Sequence, residues 1–293
     1  MTRFAQMFAR LQAQREKALI GYLTVGDPGF SESLARCEAA LAGGVDALEL
    51  GIPYSDPLAD GPVIQAAGQR ALAAGFRLAW LWQILRQLRE DHLETPLAIM
   101  TYVNPVLQVG AEAFVARAVA EGADALIIPD LPPEEEEQML SICRSHGLDL
   151  IPFAAPTTPY ERMRRVLPGH GGFVYCVSVT GVTGSSLGNQ ASGMASSSVG
   201  RHATDHPIGN PIDQLLEQAR EASGLPVCLG FGISTPGDVQ SFGRRADGVI
   251  VGTALVRCQT RAELGELVRT LKQATRSRSD AEGGVPAQAV VKS

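Results

Sequence analysis

Along the chain, short apolar runs bounded by Gly, Pro or Asp alternate with longer stretches in which apolar residues recur every three or four positions. The first pattern suits buried strands and the second amphipathic helices, and their alternation predicts repeated βα units around a parallel sheet. The strand-like runs are 18–24 (ALIGYLT), 45–50 (VDALEL), 96–102 (PLAIMTY), 123–128 (ADALII), 148–154 (LDLIPFA), 172–178 (GFVYCVS), 225–230 (LPVCLG) and 246–251 (ADGVIV). Eight of them fit a closed (β/α)8 TIM barrel of the α/β class. Helices are expected over 30–42, 78–91, 111–121 and 133–146, and the opening MTRFAQMFARLQAQREKA reads as an extra N-terminal amphipathic helix. The acidic run Glu134–Glu137 needs no functional reading, because carboxylates complement the positive end of a helix dipole and Pro132 or Pro133 makes a good helix start.

Two segments break the rhythm. Residues 185–211, rich in Ser, Gly, Asn and His without periodicity, read as a long mobile loop after the sixth strand, and residues 276–293 as a disordered tail. The expected organisation is one barrel domain over 1–275 that carries this loop as an insertion.

Composition narrows the function classes. The 293 residues hold 25 Lys+Arg against 31 Asp+Glu, a net charge of −6, with no basic cluster interleaved with aromatics, which argues against nucleic acid as a partner. With no apolar run near the roughly 20 residues of a membrane span and no signal-peptide pattern, a soluble cytoplasmic protein is expected. The five cysteines, Cys37, Cys143, Cys176, Cys228 and Cys258, are widely spaced in apolar surroundings, and neither they nor the five histidines show ligand spacing. Reduced thiols and no metal site are expected.

In a parallel barrel the active site lies at the C-terminal ends of the strands, so charged residues there merit inspection. Glu49 lies inside the apolar run ALEL, where alternation can point it inward and desolvation would raise its pKa toward a range useful for proton transfer. Equally, it could face outward and pair with a basic residue. The next loop, GIPYSDPLADGP, is stiffened by Pro53, Pro57 and Pro62 and offers Asp56 and Asp60. Asp56, in Ser-Asp-Pro, suits a turn; Asp60 could stand over the barrel mouth or merely cap a helix from Val63. Glycine-rich segments, TGVTGSS, GFGIS and VGTALV, follow the last three strands, an arrangement suited to backbone capture of a phosphate. Tyr22, Met100, Tyr102, Ile127, Phe153, Tyr175 and Phe231, at strand ends, could line a pocket for a flat apolar group or simply pack the core.

These motifs, in order, resemble one family. DALELGIPYSDPLADG at 46–61, with LTVGDP at 23–28, MTYVNP at 100–105, IIPDLPPEE at 127–135, APTTP at 155–159, SVTGVTG at 178–184 and GFGIS at 230–234, is similar to the tryptophan synthase α subunit family. The resemblance implies a carbon–carbon lyase that cleaves indole-3-glycerol phosphate to indole and glyceraldehyde 3-phosphate, the α reaction of a complex whose overall class is carbon–oxygen lyase, in the last step of tryptophan biosynthesis. It also implies an α2β2 heterotetramer with the β subunit. No cofactor is expected in this chain, pyridoxal phosphate belonging to the β partner.

Carried over by this resemblance, Glu49 is the acid/base that protonates indole C3 and Asp60 the partner of the indole N–H. Tyr22, Met100, Tyr102, Ile127, Tyr175, Thr183 and Phe231 would contact substrate, with Tyr175 beside the reacting centre. Gly184, Gly232, Ile233, Gly252 and Thr253 would hold the phosphate, and Pro53, Asp56, Pro57 and Asn104 would meet the β subunit. The sequence departs from the family pattern in carrying Thr253 for Ser, Tyr22 and Tyr54 for Phe, Val179-Thr180 for an Arg-containing pair, and an extended loop at 185–211.

Overall fold

A computed structural model describes residues 1–131, 136–177, 211–230 and 232–276. Its strands are β1 (Ala18–Thr24), β2 (Ala47–Gly51), β3 (Leu97–Met100), β4 (Ala125–Ile127), β5 (Asp149–Leu150), β6 (Phe153–Ala154), β7 (Val174–Val177), β8 (Val227–Gly230) and β9 (Gly248–Val251). They form one sheet in the order β5-β4-β3-β2-β1-β9-β8-β7-β6, with every pairing parallel. The two ends of that order, β5 and β6, are halves of one segment interrupted at Ile151-Pro152. Pro152 has no N–H to give the ladder, yet Ile151 N–H donates to Leu126 O at 3.0 Å and Pro152 O accepts from Tyr175 N at 2.8 Å. The segment thus joins both neighbours and closes the barrel, so the eight expected runs map onto eight staves, the fifth broken by its proline.

Alternation along each strand sorts side chains into two layers. Leu19, Leu48, Leu50, Leu97, Ile99 and Leu126 join the cluster that includes helix residues such as Leu81 and Leu85. Ile20, Ala47, Ala98, Ala125, Tyr175 and Cys228 fill the barrel interior. One end of that interior is stoppered by the helix Arg3–Gln14, whose Phe4, Met7, Phe8 and Leu11 recur at helical spacing and are buried in the same cluster. Phe4 and Phe8 meet Phe173, just before β7, at centroid distances of 5.6 and 6.3 Å. The stopper therefore sits at the N-terminal ends of the strands and leaves the opposite mouth for chemistry.

Carboxylates at the stoppered end have structural work. Asp46, Asp124 and Asp247 lie just before β2, β4 and β9, and each accepts the backbone N–H of a residue starting the neighbouring strand: Leu19, Leu97 and Val227, at 2.8, 2.8 and 3.0 Å. Each also has a cationic partner, respectively Lys272, Arg89 and Arg220. A carboxylate so bonded stabilises the fold.

The helices Phe30–Gly43, Leu78–Asp91 and Ala111–Ala120 occupy the expected positions. The acidic helix is described over Glu136–Ser145, with Glu136 and Glu137 in its first turn; Pro132 to Glu135 lie outside the described residues, as do almost all of the expected loop at 185–211 and the tail beyond residue 276. Among the described residues, no helix is long and apolar enough to cross a membrane, and all five cysteines are free and buried.

Candidate active site

Glu49 sits between Leu48 and Leu50, which face the helices, and so points with Ala47 into the barrel. Its residue is 0% exposed, and neither carboxyl oxygen has a hydrogen-bond partner among the described residues. The outward, salt-bridged alternative is thereby excluded. Burial without compensation pushes the Glu49 carboxyl up to about 8. The contrast with Asp46 and Asp124 is instructive: those acids are buried with N–H and cationic partners, whereas Glu49 has none among the described residues. Orphaned buried carboxyls are costly, and such groups cluster where chemistry needs them.

Asp60 comes from the loop after β2. The helix Pro62–Ala73 has Gly61 as its N-cap and Pro62 in its first turn, so Asp60 does not cap it. Its backbone is tied instead: Asp60 N donates to Pro57 O at 3.2 Å, and Gln65 Nε2 donates to Asp60 O at 2.8 Å. The buried carboxyl accepts a hydrogen bond from the Tyr102 hydroxyl. Burial raises it to about 6, the Tyr102 bond pulling the other way. Both acids act electrostatically on Tyr22 and on Tyr175, pushing both phenols up in addition to the larger effect of burial. Glu49, Asp60, Tyr22 and Tyr175 thus lie near one another at the barrel mouth.

The aromatic walls require glycine opposite them. A Cβ at Gly51 would lie 2.2 Å from the Tyr22 hydroxyl, and one at Gly230 would lie 2.3 Å from Tyr175 Cε1. Half-buried Met100 packs both on the interior cluster and on the small cluster of Tyr22, Ile64, Ala67 and Val256. Ile127, its register partner, is wholly buried in the interior layer. Phe153 packs on Tyr175 with centroids 4.9 Å apart.

For an anion, Gly232 and Gly252 follow the ends of the adjacent strands β8 and β9. Gly232 is in the left-handed region at φ 75°, and Ile233 beside it is buried. Gly252 packs against Tyr22, its virtual Cβ 3.4 Å from the Tyr22 Cβ, and half-buried Thr253 follows. Arg36, buried, fixes the segment behind them by donating to the carbonyls of Cys258, Leu255 and Val256 at 2.8, 3.0 and 3.4 Å. Ser234 is not available in the same way, since its N–H and hydroxyl both engage Asp238. Thr183, Gly184 and Phe231 lie outside the described residues.

Of the expected interface residues, Asp56 and Asn104 are exposed, Pro57 is half-buried and Pro53 is buried. Asp56 takes a hydrogen bond from Ser55 at 2.8 Å, in keeping with a turn. Sequence reasoning missed Tyr54, which stacks on Tyr102 at 5.2 Å. It also missed the bond from Tyr102 to Asp60. The two contacts join residues more than forty positions apart, beyond the reach of local pattern.

Fold and site together define a (β/α)8-barrel enzyme with two buried carboxyls at the C-terminal mouth, the second more readily ionised than the first. The family described as "Tryptophan synthase alpha chain" matches residues 8–209 and 193–282. Tryptophan synthase alpha chains of Carboxydothermus hydrogenoformans and Roseiflexus sp. (strain RS-1) are 45% and 42% identical, the alignments covering 87% and 92% of this chain and 88% and 95% of theirs. Among solved structures, Mycobacterium tuberculosis tryptophan synthase superposes with a TM-score of 0.82 at 32% identity, covering 94% of this chain and 99% of the other. The alpha subunit from Legionella pneumophila str. Paris gives a TM-score of 0.79 at 35% identity, covering 94% and 98%. The chain belongs to the tryptophan synthase alpha chain family, lyases that cleave indole-3-glycerol phosphate to indole and glyceraldehyde 3-phosphate in tryptophan biosynthesis.

Proposed function

We propose that this chain cleaves indole-3-glycerol phosphate with Glu49 as proton carrier and Asp60 as anionic partner of the ring nitrogen. The supporting observation is that a wholly buried carboxyl without a hydrogen-bond partner among the described residues, raised to about 8, lies near a hydrogen-bonded one raised to about 6 at the barrel mouth. Near neutral pH the first is protonated and the second ionised. Glu49 gives its proton to indole C3, and the positive charge that develops at N1 is met by the Asp60 carboxylate. The C3–side-chain bond then breaks, its electron pair restoring the aromatic ring. The side-chain hydroxyl becomes the aldehyde of glyceraldehyde 3-phosphate, and its proton returns to Glu49. Protons balance over the cycle, and this chain needs no cofactor.

The phosphate is held by backbone N–H groups of the loops at Gly232-Ile233 and Gly252, with the Thr253 hydroxyl and Gly184. Tyr22, Met100, Tyr102, Ile127, Tyr175, Thr183 and Phe231 enclose the indole and side chain. The enzyme works in the cytoplasm, in an α2β2 complex with a β subunit that carries pyridoxal phosphate. Asp56, Pro57 and Asn104 form part of the contact, with buried Pro53 shaping the loop that carries the first two. Next to Asn104, a cavity of ≈ 590 Å³ lined by Val103, Leu107, Ala111, Leu131, Met139 and Ile142, with Glu137, Gln138 and Ser141, offers a mixed apolar and polar surface, and Leu107 is 60% exposed.

The test is an assay of indole release from indole-3-glycerol phosphate, with and without a β subunit. Glu49→Gln should abolish cleavage while substrate affinity persists; wild-type turnover in that variant would remove Glu49 from its role. Co-elution with the β subunit supports the complex, whereas full indole release by the isolated chain, unchanged on adding the partner, would favour a stand-alone lyase.

A further inference from the structure

The hydroxyl of Tyr102 accepts the backbone N–H of Ala59 at 3.0 Å and donates to the carboxyl of Asp60. One phenol oxygen therefore fixes two successive residues of the loop after β2. The ring is held in turn from its outer face: Tyr54 stacks on it with centroids 5.2 Å apart and planes at 27°. Asn104 Nδ2 donates to the Tyr54 hydroxyl at 3.1 Å. Between Tyr102 and Asn104, Val103 N–H donates to Asp130 Oδ1 at 2.9 Å, anchoring the backbone from which the clamp projects. Burial falls along the series, from Tyr102 at 4% exposure through half-buried Tyr54 to exposed Asn104.

We propose that Tyr54, clamped by Asn104, is a positioning residue that holds the Tyr102 ring in place and so keeps the Asp60 carboxylate where the substrate's ring nitrogen must lie. This rests on the reading of Asp60 as the partner of N1. A stacked neighbour restricts rotation of the Tyr102 ring, and a short polar tether restricts the neighbour. The restriction matters because a phenol that donates to a carboxylate favours its ionised form only while the geometry is kept. Close to Asp60 among the described residues are Tyr22 from β1, Tyr102 after β3 and Tyr175 from β7, with Glu49 from β2 near the same two strand phenols. Of these, Glu49 and the two other phenols offer Asp60 no positive charge, so among the described residues the Tyr102 bond is its counterweight to burial. Preorganised placement of this kind is readily lost through small displacements.

The experiment compares the full-length wild type with Tyr54→Ala, Tyr54→Phe and Asp60→Asn, each with saturating β subunit, reading kcat, KM and the pH dependence of kcat/KM. Tyr54→Ala removes both stack and tether and should lower kcat about tenfold, with the acidic limb of the profile moved up by about half a pH unit. Tyr54→Phe keeps the stack and should recover most of the loss, to within about threefold of wild type. Thermal melts identify variants whose loss is one of folding. An unmoved acidic limb in folded Tyr54→Ala overturns the clamp, as does a Tyr54→Phe variant no better than Tyr54→Ala. If Asp60→Asn loses turnover while Tyr54→Ala behaves as wild type, the clamp alone falls. If Asp60→Asn retains full turnover, the role of Asp60 falls, and the clamp with it.

Discussion

Glu49 is the register partner of Tyr22 across the parallel pair β1–β2, so the two side chains enter the barrel at the same level and on the same side of the sheet. The phenol wall beside the acid is apolar over most of its surface, and the Tyr22 hydroxyl turns toward Thr24 at 3.4 Å. Among the described residues, no donor reaches the Glu49 carboxyl, where the structural carboxylates have backbone N–H partners. That environment keeps it protonated near neutrality, while Asp60, on the adjoining loop, has the Tyr102 hydroxyl to favour its ionised form.

Opposite protonation requirements give a bell-shaped pH profile. The proposed mechanism needs Asp60 ionised and Glu49 protonated, so kcat/KM for the free enzyme should fall below about 6 as Asp60 takes a proton and above about 8 as Glu49 loses one. The profile is measured as initial rates of indole release across this range. In Asp60→Asn the acidic limb should disappear along with most of the turnover. Retention of that limb would assign it to another group.

The same burial sets the sign of a stability effect. The Glu49 carboxyl is raised from 4.5 to about 8 on folding, so the folded chain binds this proton more tightly than the unfolded one. Its contribution is fully present below the unfolded value and is lost as pH rises through the folded one. That difference corresponds to at most about 5 kcal/mol. Glu49→Gln should therefore be more stable than wild type at pH 9, by a few kcal/mol, and should show little difference near pH 4. Denaturant unfolding at the two pH values reads this directly. A Glu49→Gln variant less stable than wild type at pH 9 would mean that the carboxylate has a partner when ionised.

Much of this was legible beforehand for a physical reason. Strand order in a closed barrel follows chain order, and a carboxyl within ALEL has only two faces to choose between. What the sequence left open was which face Glu49 takes and whether Asp60 caps a helix. The first depends on barrel closure, and the second on Gly61 occupying the cap position. The Tyr102 to Asp60 bond and the Tyr54 stack could not be read at all. They cross from the loop after β2 to the segment after β3, and no periodicity encodes a contact between loops. Pro152 was visible in the fifth run, but the break it makes shows only when both neighbours of the strand are known.

Thr253 offers a test of the phosphate loop. Its hydroxyl, next to Gly252 and beyond the end of β9, is proposed to donate to a phosphate oxygen, a charge-assisted bond worth about 1.5–3 kcal/mol. Thr253→Ala should raise KM about tenfold or more while kcat changes less, and Thr253→Ser should remain near wild type. Steady-state kinetics on indole-3-glycerol phosphate decides between them. An unchanged KM in Thr253→Ala would leave the phosphate to the backbone donors alone.

Gly230 tests how tightly the Tyr175 wall is fixed. An added methyl there would stand 2.3 Å from Tyr175 Cε1 and 2.6 Å from its hydroxyl oxygen. The ring has little room to retreat, with Phe153 at 4.9 Å and Phe173 at 6.2 Å behind it. Overpacking of this kind costs about 1–3 kcal/mol, which for a chain of this size lowers the melting temperature by several degrees. Gly230→Ala should also reduce turnover about tenfold or more, because the displaced ring lies near Glu49. Replacing Tyr175 by Val in the same chain removes the clash and should restore the melting temperature without restoring turnover. If the double variant recovers both, the wall serves packing only; if it recovers stability alone, the position of the Tyr175 ring matters to the reaction in its own right.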